Sequence, residues 1–218
     1  NGYGMTENCC VCTNLDPFQP LGVGSVGKVS SPSVDIKITD EGEVCMTGPF
    51  LMDSYFKNEE MTKETLKDGW LHTGDMGYID ENGFLYITGR VKDIFKTSKG
   101  KYIEPSVLES YFGKITDFQQ MCIVGLGLDQ PILLAVPSEK AKTNKEDFNK
   151  KMSNYLSEVN KDLDGYKKIK KIVMVKEEWL PENGLSTPTL KIKRAKIDQR
   201  FSENYQEWYN STEEVLWE

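Results

Sequence analysis

An excess of positive charge is the first thing this sequence lacks. Its 34 acidic residues outnumber 27 lysines and arginines, for a net charge of -7, which disfavours a nucleic-acid binder, because a phosphate backbone demands a basic surface. No apolar run approaches the ~20 residues of a membrane-spanning helix, and no secretory leader is visible. The chain therefore reads as cytoplasmic, with no transmembrane segment and peripheral membrane contact at most. Cysteine pairing is lacking too. The five cysteines, Cys9, Cys10, Cys12, Cys45 and Cys122, are odd in number and fit neither a disulfide framework nor paired C-x-x-C zinc ligation. Reduced, structural thiols in a cytosolic setting are expected. Internal repeats and low-complexity tracts are absent, and histidine is nearly so, His72 being the only one. A length of 218 residues permits one large domain or two modest ones, either able to bury a core.

The patterning that is present changes character midway. As far as about Thr88 it is β-rich: Val34 to Ile38 alternates strictly, Glu43 to Thr47 follows a Gly turn, and Asp80-Glu-Asn-Gly83 joins Tyr78-Ile79 to Phe84–Thr88 as a hairpin. A short helix fills Asn58 to Leu66. From about Lys92, short strands interleave with helices. Thr143 and Glu146 make a capping-box pattern before a helix whose Phe148, Met152, Tyr155, Leu156, Val159 and Leu163 recur at helical spacing. Ile123-Val124, Ile132 to Val136 and Ile172 to Val175 read as buried strands, and Ile197, Phe201, Tyr205 and Trp208 as a final amphipathic helix. The expected class is α+β, with domains at 1–89 and 90–218.

Four short motifs carry chemistry. Asn1-Gly-Tyr-Gly-Met-Thr-Glu7 places an aromatic between glycines ahead of a hydroxyl and a carboxylate: a stacking face beside groups suited to phosphate and Mg²⁺. Taken alone it is also an ordinary Gly-rich turn. Gly69-Trp-Leu-His-Thr-Gly-Asp75 ends on a carboxylate at a turn, where Asp is equally common as a cap. The run from Gly89 to Ile103 concentrates Arg90, Lys92, Lys96, Lys99 and Lys101, and charge runs are usually solvated faces. Thr187-Pro-Thr-Leu-Lys-Ile-Lys-Arg194 closes the set. Gly22-Val-Gly-Ser-Val-Gly27 matches a dinucleotide fingerprint, but a Pro-rich loop precedes it and an alternating strand follows, so a turn between β elements is expected.

In this order the four motifs resemble the later core motifs of the adenylate-forming enzymes, and their wording is closest to the long-chain fatty acyl-CoA synthetase branch. The resemblance runs from residue 1 to about Arg194. It implies an ATP-dependent long-chain fatty acid–CoA ligase, which joins a carboxylate to AMP and then transfers the acyl group to CoA. The chain would be its C-terminal piece: 1–89 the β-rich end of a large AMP-binding domain, 90–218 a small mobile lid. The missing initiator methionine and the opening inside a motif suggest an excised fragment, inactive alone because the earlier phosphate loop and acyl pocket are wanting. Two alternatives stand: a ligase for another carboxylic acid, and a non-catalytic nucleotide-binding or interaction module.

The resemblance also implies roles. Tyr3 and Gly4 would lie at adenine, Thr6 at phosphate, and Glu7 on Mg²⁺. Asp75 would accept from the ribose hydroxyls and Arg90 would donate to the same region. Lys92 would be the pivot of a domain rotation, and Gly100 would let backbone approach the pantetheine of CoA. Lys191 would bridge the reacting carboxylate and α-phosphate, with Lys193 as the alternative, because Leu190 stands where many members have Gly. ATP, Mg²⁺, CoA and a fatty acid are the implied small molecules. A general-base role for His72 is not expected, since a carboxylic acid is already ionised at neutral pH. Lys167, Lys168, Lys170 and Lys171 form a second basic cluster, read as surface rather than as a CoA phosphate site.

Overall fold

The computed structural model describes residues 2–9, 12–14 and 22–218. The chain divides into two compact units, Asn1–Lys92 and Asp93–Glu218. Cys10, Asn1 and the Pro-rich loop before Gly22 lie outside the described residues.

The first unit is built on an antiparallel sheet of five strands: β1 (Asp35–Ile38), β2 (Glu43–Thr47), β3 (Leu66–Lys67), β4 (Trp70–Ile79) and β5 (Leu85–Arg90). The long strand β4 pairs with β2, β3 and β5. The predicted hairpin forms, closed by Gly83 N–H to the Asp80 carbonyl at 2.9 Å, with Tyr78 stacked on Tyr86. Alternation places Ile36, Val44, Met46 and Leu85 in one core with Cys12. Gly77 is required by close approach: a Cβ there would meet the Tyr86 carbonyl oxygen at 2.4 Å. Helix α1 (Glu59–Thr65) is capped by Asn58, whose side chain accepts from Met61 N–H. Gly24 sits in a turn and no helix follows Gly27, which bridges Leu85 instead, as a turn between β elements requires.

The second unit is α+β. Helix α2 (Pro105–Phe112) precedes strands β6 (Phe118–Val124) and β7 (Ile132–Pro137); helix α3 (Lys145–Lys161), β8 (Ile172–Met174), α4 (Arg194–Phe201), α5 (Tyr205–Asn210) and β9 (Val215–Trp217) follow. The sheet order is β6-β7-β8-β9, with β6 antiparallel to β7 and the other pairs parallel. Every residue of β7 is buried, as a strand covered on both faces must be. Leu133 and Ala135 face Phe148, Met152 and Leu156 of α3, whereas Ile132, Leu134 and Val136 share a second core with Trp179, Ile197, Phe201 and Trp208.

Two expectations are corrected in detail. The cap of α3 is Asn144, not Thr143: the Asn144 side chain accepts from Asp147 N–H, while Thr143 ends the preceding short helix. The final helix is two, since a 3-10 turn at Ser202–Asn204 separates α4 from α5. Strand β9 had no signature, because three residues are too few for alternation to register.

Candidate functional site

Candidate site residues occur in both units. In the first unit, Gly2–Tyr3 forms a short strand against Thr13-Asn14 and leads into a 3-10 turn at Thr6–Asn8. The Tyr3 hydroxyl donates to Asp75 Oδ2 at 2.5 Å. Arg90, the register partner of Asp75 on β5, reaches the other oxygen, Nε to Oδ1 at 2.8 Å. Asp75 is 7% exposed. Burial, then the bond to Asp75, raises the Tyr3 phenol above its ordinary range, so the hydroxyl stays a donor. Each carboxylate oxygen accepts about two hydrogen bonds, so Asp75 retains capacity for vicinal hydroxyls. That suits a ribose.

The turn bearing Asp75 is held from below. Glu43 Oε1 accepts from Gly74 N–H at 3.0 Å and Oε2 lies 2.7 Å from His72 Nδ1. Thr73 donates its hydroxyl to the Val44 carbonyl at 2.7 Å and accepts from Asp75 N–H at 3.1 Å. His72 thus braces Glu43, a part that suits its side chain without any proton abstraction.

Thr6 is exposed and Glu7 half-buried. Tyr55, a residue no motif reading singled out, donates its hydroxyl to Glu7 Oε1 at 2.7 Å, and Met52 N–H bonds the Glu7 carbonyl at 2.8 Å. The segment at 50–57 therefore fixes Glu7. A single braced carboxylate fits Mg²⁺, which takes one or two carboxylates and fills its shell with water and phosphate oxygens.

Lys92 is exposed within a 3-10 turn at Val91–Asp93. In the second unit, Gly100 has φ +72° and open space where a Cβ would stand; its N–H closes a turn onto the Thr97 carbonyl at 2.9 Å. Lys191 sits on the arm of a tight loop in which Leu190 N–H bonds the Thr187 carbonyl and Thr187 N–H bonds that of Lys191, both at 2.8 Å. Ile192 packs toward the second core, so Lys191 and Lys193 are both exposed. Leu190 adopts φ +60°, the conformation glycine takes without cost.

Immediately after this loop, Arg194 is the hub the motif reading did not resolve. Its Nη1 donates to the Ile123 carbonyl at 2.7 Å, and its Nη2 meets Glu109 Oε1 at 2.8 Å. Its Nε lies 3.5 Å from Asp93, an ion-pair distance rather than a hydrogen bond. Burial works against the Arg194 charge, and the Cys122 sulfur, Glu109 and Asp93 more than offset it, holding the guanidinium above its ordinary range. Of the second basic cluster, Lys171 is buried, its ammonium donating to the Ser211 and Glu213 carbonyls. It belongs to the scaffold, not to a surface.

Residues 92–213 match the family described as AMP-binding enzyme C-terminal domain. The chain belongs to that family. Among curated relatives it is 32% identical to a long chain acyl-CoA synthetase 7, peroxisomal, of Arabidopsis thaliana, over 95% of this chain and 34% of the relative. It is 33% identical to a long-chain-fatty-acid–CoA ligase 5 of Rattus norvegicus, over 97% of this chain and 35% of the relative. The chain thus spans about a third of the length of these proteins. Among solved structures it resembles the o-succinylbenzoate CoA synthetase of Bacillus subtilis in complex with its acyl-adenylate intermediate. That match has a TM-score of 0.72 at 28% identity, covering 90% of this chain and 40% of the other. Among the described residues, no helix is long and apolar enough to cross a membrane. Cys9, Cys12, Cys45 and Cys122 are free thiols, the last three buried.

Proposed function

We propose that this chain forms the last third of an ATP-dependent long-chain fatty acid–CoA ligase, with residues 1–89 ending the nucleotide-binding domain and 90–218 forming a mobile lid. The observation that carries the reading is the Tyr3–Asp75–Arg90 cluster: a buried carboxylate with spare lone pairs beside an aromatic face, in a chain whose second unit belongs to the AMP-binding enzyme C-terminal domain family. The Tyr3 ring offers a stacking surface to adenine, beside Gly4, and Asp75 accepts from the ribose hydroxyls. Thr6 donates to phosphate. Glu7, held by Tyr55, would hold Mg²⁺, which when bound neutralises charge on the phosphate oxygens.

The fatty carboxylate attacks the α-phosphorus and pyrophosphate leaves. Lys191, a cation on a flexible stem, stabilises the charge that gathers there. The lid then rotates about Lys92, a hinge motion in which few residues absorb the dihedral change, and Gly100 leaves room for pantetheine. The CoA thiol attacks the acyl carbonyl and AMP leaves. Free thiols suit a reducing compartment such as the cytoplasm, and the partners are small molecules.

ATP–pyrophosphate exchange by the full-length ligase, across a panel of acids, tests the reading. Exchange with long-chain acids is expected. Exchange confined to aryl or amino acids would reassign the substrate, and none with any acid would leave a binding module. The 218 residues alone should form no acyl-AMP.

A further inference from the structure

Strands β2 and β4 bring three metal-ligating side chains to one face of the first sheet. Cys45 and His72 are direct register partners, and Glu43 lies two residues from Cys45 on the same strand. Cys45 Sγ is 3.5 Å from His72 Nδ1, His72 Nδ1 is 2.7 Å from Glu43 Oε2, and all three ligand atoms fall within 4.8 Å of one another. We propose that Glu43, Cys45 and His72 form a binding site for a thiophilic divalent cation, Zn²⁺ being the best match.

Bond lengths favour that ion. With Zn–S of about 2.3 Å and Zn–N of about 2.0–2.1 Å, a tetrahedral centre separates sulfur from nitrogen by about 3.6 Å, close to the distance present. The Glu43 carboxylate must turn to widen its 2.7 Å hydrogen bond to the ~3.4 Å of a nitrogen–oxygen edge. It can do so while Oε1 keeps the Gly74 N–H, which anchors the ligand from behind. Thiolate, imidazole and carboxylate together suit Zn²⁺ and exclude Mg²⁺, which takes oxygen alone. The side chains of His72 and Glu43 are 21% and 19% exposed, so the ion enters from that side and water completes its shell.

On binding, the Cys45 thiol proton leaves to solvent and the imidazole keeps one proton, on Nε2. The ion ties β2 to β4 beside Gly74 and Asp75. This site is independent of the proposed ligase activity and is tested without it.

Because His72 is the chain's only histidine, one imidazole signal reports on the site. The reduced chain is titrated with Zn²⁺ under nitrogen-15 imidazole NMR, and with Co²⁺ under absorption spectroscopy. One equivalent should shift the His72 Nδ1 resonance and fix the Nε2–H tautomer, while Co²⁺ gives a sulfur-to-metal charge-transfer band. Cys45→Ser and His72→Gln should each weaken binding by at least about 100-fold, beyond the ~10–100-fold typical of losing an outer partner. Cys9→Ser should change nothing. An unmoved imidazole at saturating Zn²⁺, or a charge-transfer band that survives Cys45→Ser, overturns the site. The wild-type imidazole spectrum decides the matter even where a variant folds poorly.

Discussion

Tyr3 and Asp75, 72 residues apart, share a 2.5 Å hydrogen bond that makes the aromatic of the first motif a structural partner of the carboxylate of the second. Tyr3→Phe keeps the ring and leaves a buried carboxylate oxygen short of a donor, at a cost of about 1–3 kcal/mol. Denaturant melts should show that loss at neutral pH. The folded phenol is raised above its ordinary 10.0, so only the unfolded chain releases the Tyr3 proton as pH passes that value. Tyr3 stabilisation is therefore complete below pH 10 and is lost as pH rises above it. The gap between wild type and variant should shrink there.

Arg194 ties α4 to α2, β6 and Asp93. Arg194→Met strands Glu109 beside the core without its cation, and breaking a buried pair in this way costs about 3–5 kcal/mol. Replacing Glu109 with Gln in the same chain should recover part of the loss. An Arg194→Met melt equal to wild type would mean the hub contributes nothing.

Leu190 is 63% exposed and has φ +60°, so it sacrifices little packing and bears left-handed strain of about 1–2 kcal/mol. Leu190→Gly should stabilise the second unit by up to about 1 kcal/mol, net of the entropy glycine loses on folding. Leu190→Val, β-branched, should destabilise it. Thermal melting of the two variants gives opposite signs if the loop is as described.

In the full-length ligase, Lys191→Ala should slow adenylation by about 10²–10³ and spare thioester formation from supplied acyl-AMP. Lys193→Ala should be mild in both half-reactions. Because the two side chains are both exposed, the reverse pattern would move the role to Lys193.

Lys92→Pro fixes φ near about -65°, which a 3-10 turn at Val91–Asp93 accommodates. Exchange of pyrophosphate should persist in the full-length variant while acyl transfer to CoA falls sharply; Lys92→Ala should be mild in both. Equal damage to both half-reactions with an unchanged melt would remove Lys92 as the pivot.

Sequence by itself determined much of this protein. Alternation in Val34 to Ile38 and Glu43 to Thr47, the Asp80–Gly83 turn, and the 3.6-residue spacing of Phe148, Met152 and Leu156 each encode which face is buried, because backbone period is a local property. The motif order likewise pointed to the family that residues 92–213 match. Only tertiary structure decided the partners. That Tyr55 braces Glu7, that His72 meets Glu43 and Cys45, and that Arg194 gathers Glu109 and Asp93 depends on strand order and register between segments tens of residues apart. Periodicity names the face a side chain takes but not the residue it will find there. Leu190 shows the same limit at short range: an exposed residue carries no packing pattern, and its left-handed backbone is imposed by the paired ends of its loop.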